Sequence, residues 1–185
     1  YLWMLLCPVL TMRLWAEERQ KKTDQLLLTS PVSLAGIVMG KYLAAVTVMA
    51  MTAALSLLYA LVVAIYGTVY PAELAVCMLG FGLQGCAFIA LDLYCSACAA
   101  TPVIAAVTAF GANFLLWVLD LTESQIQVSW IADGIRFMSL YSRNEPFLMG
   151  QLSFASLLFD LSFAAVFLAM TLHRLESRRI RRAAV

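Results

Sequence analysis

Two carboxylates stand inside apolar runs, Asp92 and Asp160. A carboxylate pair that shares a proton is the machinery of an aspartyl protease. A lone carboxylate at membrane depth can instead carry the proton of a coupled carrier. The protease reading lacks a GxGD around either residue. The single histidine, His173, sits at the end of an apolar run, too far out for a Ser-His dyad. The carrier reading lacks visible inverted repeats or matching broken helices.

Cys95-Ser96-Ala97-Cys98 has the CxxC spacing, but a zinc site wants a second pair or nearby histidines. The cysteines are five, an odd number lying mostly in apolar runs, which does not form a disulfide framework. Gly80-Phe81-Gly82-Leu83-Gln84-Gly85 fits GxGxxG. A dinucleotide site needs that motif between a strand and a helix, whereas here it lies within a continuous helical apolar run. The glycines are expected to be a packing surface. No GxxxxGK[ST] phosphate loop occurs, so the chain does not hydrolyse ATP by that route.

The elements that position these groups follow from composition. Of 185 residues 63% are hydrophobic and 12% charged, and the net charge is +1. Mean hydropathy is +0.89. Soluble domains are only ~45–50% apolar and ~25% charged. Long apolar runs rather than alternating ones make this an all-α, polytopic helical membrane protein. Residues 34–66, 73–94, 102–121 and 152–172 are read as spans of one transmembrane domain. Residues 1–12 fall short of the ~20 apolar residues a span needs. They are read as the end of a further span, and a preceding N-terminal part is expected because the chain starts at Tyr1. Gly36 and Gly40 form a GxxxG that permits close helix contact. Lys41 interrupts the longest run and is expected to snorkel to the surface.

Between residues 13 and 33 lies a charged elbow. Glu17, Glu18, Arg19, Lys21 and Lys22 are expected to face water, and Met12, Leu14, Trp15 and Ala16 to lie along the membrane surface. Thr23 or Asp24 would cap a second short helix carrying Leu26, Leu27 and Leu28, and Ser30-Pro31 would restart the chain. Residues 122–151 are read as an outer loop with amphipathic pieces, and 173–185 as a basic tail. Five Lys and Arg lie from Arg13 through Lys41 and five beyond Leu172, with Arg136 and Arg143 in the late loop. An even number of spans separates the two basic ends, so both fall on one side. The positive-inside rule makes that side cytoplasmic.

Asp160 enters the last span by about eight residues, so ~12 Å from its outer end. A bare charge there costs at least ~2.5–3.5 kcal/mol. It is expected to be neutral, wetted by a cavity, or bonded to a group such as Asn113 or Gln84. Gln84, Asn113 and Asp160 are thus either interhelical polar contacts or path-lining groups. Asp92, near the inner end, is expected to reach the headgroups.

The elbow carries a resemblance. Ala16-Glu17-Glu18-Arg19, then Thr23-Asp24-Gln25-Leu26-Leu27-Leu28-Thr29-Ser30-Pro31-Val32-Ser33, then Ile37-Val38 and Gly40-Lys41 resemble the elbow of ABC-2 type transporter permeases, especially the gliding-motility-type branch. The resemblance implies a six-span permease of which this chain lacks the first span and most of the second. It implies a multi-pass subunit of the cell membrane with a cytoplasmic C-terminus, itself not an enzyme. It pairs with a second permease subunit, homo- or heterodimeric, and binds ABC ATPase subunits that hold the ATP and Mg. No cofactor in this chain and no nucleic acid are implied. The function implied is export coupled to ATP hydrolysis through Glu17, Glu18, Arg19, Thr23, Asp24, Leu26, Leu27, Leu28 and Pro31.

Overall fold

A computed structural model describes residues 2–23, 33–68, 70–123 and 139–183. Among the described residues there are seven helices and no strand. They are α1 (Leu2–Thr11), α2 (Arg13–Gln20), α3 (Leu34–Tyr66), α4 (Pro71–Cys98), α5 (Pro102–Glu123), α6 (Leu140–Leu148) and α7 (Phe154–Ala183). Four of them, α3, α4, α5 and α7, are long and apolar enough to cross a membrane.

Local chemistry sets most starts and stops. Ser33 caps α3, its hydroxyl accepting the Gly36 N–H at 3.3 Å. The cap is therefore Ser33 and not Ser30; Ser30 and Pro31 lie outside the described residues. Pro71 occupies the first turn of α4 with Glu73 beside it, which suits the unpaired N–H groups and positive dipole end there. Ser139 caps α6, accepting from Ser142 N at 3.2 Å. Gly150 ends that helix's turn at φ 72°, in the left-handed region that glycine enters without a Cβ clash.

The fold is organised around α4, which touches each of the other six helices. Its residues Ala87 through Leu93 are buried without interruption. Seven consecutive buried residues occupy every direction around a helix, so α4 is enclosed on all sides over two turns. The α4–α7 packing is the most extensive, with Tyr94 set edge-on to Phe167 at 5.9 Å.

Helix α3 is the opposite case. Its buried residues are Leu34, Val38, Tyr42, Ala45 and Met49, spaced four, four, three and four apart, which is one helical seam. Beyond Met49 no residue of α3 is buried, and Leu55, Leu58, Leu61, Val63 and Ile65 are exposed. The first half of α3 belongs to the bundle, and the second half presents apolar side chains on all faces.

The two glycine motifs separate by position. A Cβ at Gly80 would fall 2.5 Å from Cβ of Phe147, and one at Gly85 would collide with Met49 and approach Trp3. Gly82 has open space around it, so only two glycines of the GxGxxG serve packing. Gly36 would meet only its own cap Ser33, and Gly40 nothing within 4 Å. Among the described residues the GxxxG is therefore not a close helix contact.

Candidate functional site: the elbow clamp and the buried carboxylates

Helix α2 leaves α1 with almost no break, since Met12 keeps a helical backbone at φ −54° and ψ −32°. The joint is stitched to α4 by one hydroxyl. Ser96 Oγ accepts the N–H groups of Trp15 at 3.2 Å and Ala16 at 3.4 Å and donates to the Met12 carbonyl at 3.1 Å. These groups lie near a helix start, where N–H donors lack intrahelical partners. Trp15 and Ala16 are buried against protein rather than lying along the membrane surface.

Arg19 reaches the same end of α4, at its last carbonyls. Its Nη1 donates to Cys98 O at 3.1 Å and Ala99 O at 2.6 Å. Carbonyls at a helix C-terminus are orphaned and carry the negative dipole end, so a guanidinium is favoured there. Lys41 holds the elbow from α3. Its Nζ donates to the Leu14 carbonyl, lies 4.2 Å from the centroid of the Trp15 ring and pairs with Glu18 Oε2 at 2.5 Å. The side chains of Lys41 and Glu18 are 15% and 31% exposed, so solvent weakens this pair less than a surface one.

These contacts correct the expectation that Glu18 and Arg19 face water and that Lys41 snorkels. Unpaired carbonyls and an opposite charge lie closer than solvent. Glu17 does face outward and pairs with Lys21 one turn on, at 2.7 Å. The hydrogen bond and charge of Lys21 hold the Glu17 carboxyl below its ordinary range.

Thr23 closes α2, and the second short helix expected beyond it lies outside the described residues. Lys22 adopts φ 58°, Thr23 N donates to Glu18 O at 2.9 Å, and Lys22 N donates to Arg19 O at 3.1 Å. That is the paired-bond C-terminal cap in which glycine is the usual left-handed residue. Asp24, Leu26, Leu27, Leu28 and Pro31 lie outside the described residues.

The carboxylates fall into separate groups. Asp92 is fully buried, not at the headgroups, and Asn113 Nδ2 donates to its two oxygens at 3.0 and 3.3 Å. Cys7 is a further hydrogen-bond neighbour of Asp92. Asn113 is thus the partner of Asp92 and not of Asp160. Asp160, 1% exposed, has Asn144 and Arg143 of α6 as polar neighbours. Neither of its oxygens makes a full hydrogen bond among the described residues. Gln84 is half-buried on α4, and no bond joins it to Asp160 among those residues. Among the described residues no hydrogen-bond partner is shared by Asp92 and Asp160. Among the described residues no three metal-ligating side chains cluster, and the CxxC cysteines are free thiols.

Asp160→Asn is expected to keep or raise the melting temperature, because a neutral amide of the same shape avoids burying a charge. A thermal-shift measurement at pH 7 checks this. A fall of about 3 °C, roughly 1 kcal/mol for a chain of this size, would mean that the ionised form is held in place by Arg143.

Sequence reasoning missed three groups. Ser96 was hidden as the middle of a CxxC. Lys41 gave a signal, a lone cation in an apolar run, but not its partner. Asp120 also went unnoticed. It accepts from Ser139 Oγ at 2.6 Å and from Ser142 N at 3.1 Å, tying the start of α6 to the C-terminal end of α5.

Comparison with known families matches residues 4–122 to a model described as ABC-2 family transporter protein. No curated protein and no solved structure matches the chain.

Proposed function

The chain belongs to the ABC-2 family of transporter proteins, and from that premise we propose that it is the permease subunit of an exporter driven by a separate ATPase subunit. Its elbow is the coupling element. The ATPase holds ATP and Mg, and a second permease subunit, identical or related, completes the path. The gliding-motility-type branch is part of this reading, supported by the resemblance of the elbow residues. The elbow and the tail after Leu172 face the cytoplasm, and the membrane is the cell membrane.

The observation that carries this reading is the clamp. Ser96 and the Arg19 bonds join α2 to α4, and Lys41 joins it to α3. A force on the exposed face of α2 therefore reaches two membrane helices through direct side-chain contacts. ATP-driven movement of the partner would tilt those helices against the rest of the bundle and open the path. The docking groups of this reading are Glu17 on that face together with Asp24, Leu26–Leu28 and Pro31, which lie outside the described residues.

Glu17→Lys tests the reading at the side chain that faces outward. The expected result is normal insertion and an unchanged melting temperature, with co-purified ATPase and stimulated ATP hydrolysis both reduced at least ~10-fold, as for a rim charge set against a complementary patch. Equal recovery and turnover at matched membrane abundance would remove the elbow as the coupling element. Transport that persists without any co-expressed ATPase would favour the proton-coupled carrier.

A further inference from the structure

Three helices converge on Asp92 of α4. Asn113 of α5 donates to both its oxygens, at 3.0 and 3.3 Å, and Cys7 of α1 is its further hydrogen-bond neighbour. All three side chains are fully buried. Asp92 precedes Ser96 by four residues, so both lie on one face of α4, ~6 Å apart along its axis. Ser96 holds the joint of α1 and α2. The same face of α4 therefore carries the elbow at one level and α5 one turn deeper.

Helix α1 grips that face at three levels. Trp3 lies over Gly85, Cys7 meets Asp92, and the Met12 carbonyl receives the Ser96 hydroxyl. The contacts advance along both helices in the same direction, so α1 runs parallel to α4 toward the elbow. Helix α5 is held differently. Among its described residues those buried are Ala105, Ala109 and Asn113, four apart, which is a single stripe. Ala105 packs with Ala16 of the elbow and Ala99 beyond α4. Alanines let backbones come close but do not interlock, so such a seam fixes distance and leaves register free. Asn113 is the polar member of the stripe, and holding register is the best-attested use of a buried polar pair.

We propose that Asp92 is a positioning residue for transport: through Asn113 it makes α5 follow the elbow, so that α5 moves with α3 and α4. The proposal rests on the elbow being the coupling element. Without the pair, the alanine stripe would let α4 slide past α5, and the push would stop at the two clamped helices.

The test uses the purified permease with its co-purified ATPase in a bilayer. Spin labels are carried on genetically encoded ketone side chains, which leaves the native cysteines untouched. One protein is labelled at Leu58 and Leu158, another at Leu115 and Leu158, each diluted into unlabelled permease. These are exposed apolar positions on α3, α7 and α5. Electron–electron distances are measured with and without ATP. In the wild-type background both should shift by ~2 Å, the size of helix movements at interfaces. Asp92→Leu with Asn113→Leu removes both polar partners at similar bulk, so no orphan group is created and the fold should hold. In that variant the shift between Leu58 and Leu158 should persist, and the shift between Leu115 and Leu158 should vanish. Asp92→Asn with Asn113→Asp rebuilds a carboxylate–amide pair and should bring it back. A leucine variant in which α5 still moves would overturn the proposal and leave the coupling reading standing. Failure of the exchanged pair to restore the shift would also overturn it, by tracing the loss to disturbed packing. So would loss of both shifts in the leucine variant, or a wild-type protein in which α3 moves and α5 does not. A wild-type protein in which ATP moves neither helix would remove the coupling reading and the proposal together.

Discussion

Glu18→Lys is expected to destabilise the permease by about 1–3 kcal/mol, between the values for exposed and buried ion pairs, and to abolish stimulated ATP hydrolysis. Glu17→Lys next to it is expected to leave stability within ~0.5 kcal/mol. The two residues are adjacent and identical in type, yet one faces outward to Lys21 and the other inward to Lys41. Reversal at Glu18 puts an ammonium against the ammonium of Lys41, which also holds the Leu14 carbonyl and the Trp15 ring. Lys41 would have to leave, and the only α3 side chain holding the elbow by charge would go with it. Pairing Glu18→Lys with Lys41→Glu should recover part of the stability, because the charge pair returns while the bond to Leu14 and the ring contact do not. Melting temperatures of the four proteins in one detergent form a double-mutant cycle. A coupling energy near zero would show that this pair does not hold the elbow to α3.

Gly80→Ala is expected to cost about 1–3 kcal/mol, the usual penalty for overpacking, while Gly82→Ala should be neutral or gain about 0.5–1 kcal/mol from the lost backbone freedom of glycine. The new methyl at position 80 would meet Cβ and Cγ of Phe147 at 2.5 and 2.7 Å. Those atoms lie close to the backbone of a side chain that is 1% exposed, so rotation alone does not clear them and α6 must move. A local reporter exists. The Cys77 thiol donates to the Phe147 carbonyl at 3.1 Å. Displacement of α6 frees that thiol, so Cys77 in the Gly80→Ala protein should react with a maleimide several-fold faster than in wild type or Gly82→Ala. Equal labelling rates and equal melting temperatures would mean that the α4–α6 contact is loose.

Apolar run length exposed the four long helices and Pro102 marked the start of one, because those signals are local, whereas α4 starts at Pro71, two residues before the expected 73. The interior of the site was not legible for the opposite reason. Glu18 and Lys41 are separated by an elbow whose path the chain alone does not state, and Ser96 is about eighty residues from the N–H groups it receives. Surface charge was the natural expectation for Glu18 and Arg19, since most charges are solvated. Orphan carbonyls at the end of α4 become available to Arg19 only once the bundle has formed. Asn113 illustrates the same limit. Its polarity inside an apolar helix announced a partner, but helical spacing did not say whether that partner was Asp92 or Asp160.

The uneven burial of α3 has a mechanical consequence. A beam gripped over one half and free over the other converts rotation at the grip into travel at the tip. From Met49 to Tyr66 the ungripped part is about 26 Å long. A tilt of about 5° at the clamp therefore carries Tyr66 through ~2 Å, a distance comparable to the helix shifts that open and close subunit interfaces. The gain is set by where the buried seam stops. Extending the seam by one turn past Met49 would shorten the lever by ~5.4 Å and lower the stroke in proportion, with no residue of the elbow altered.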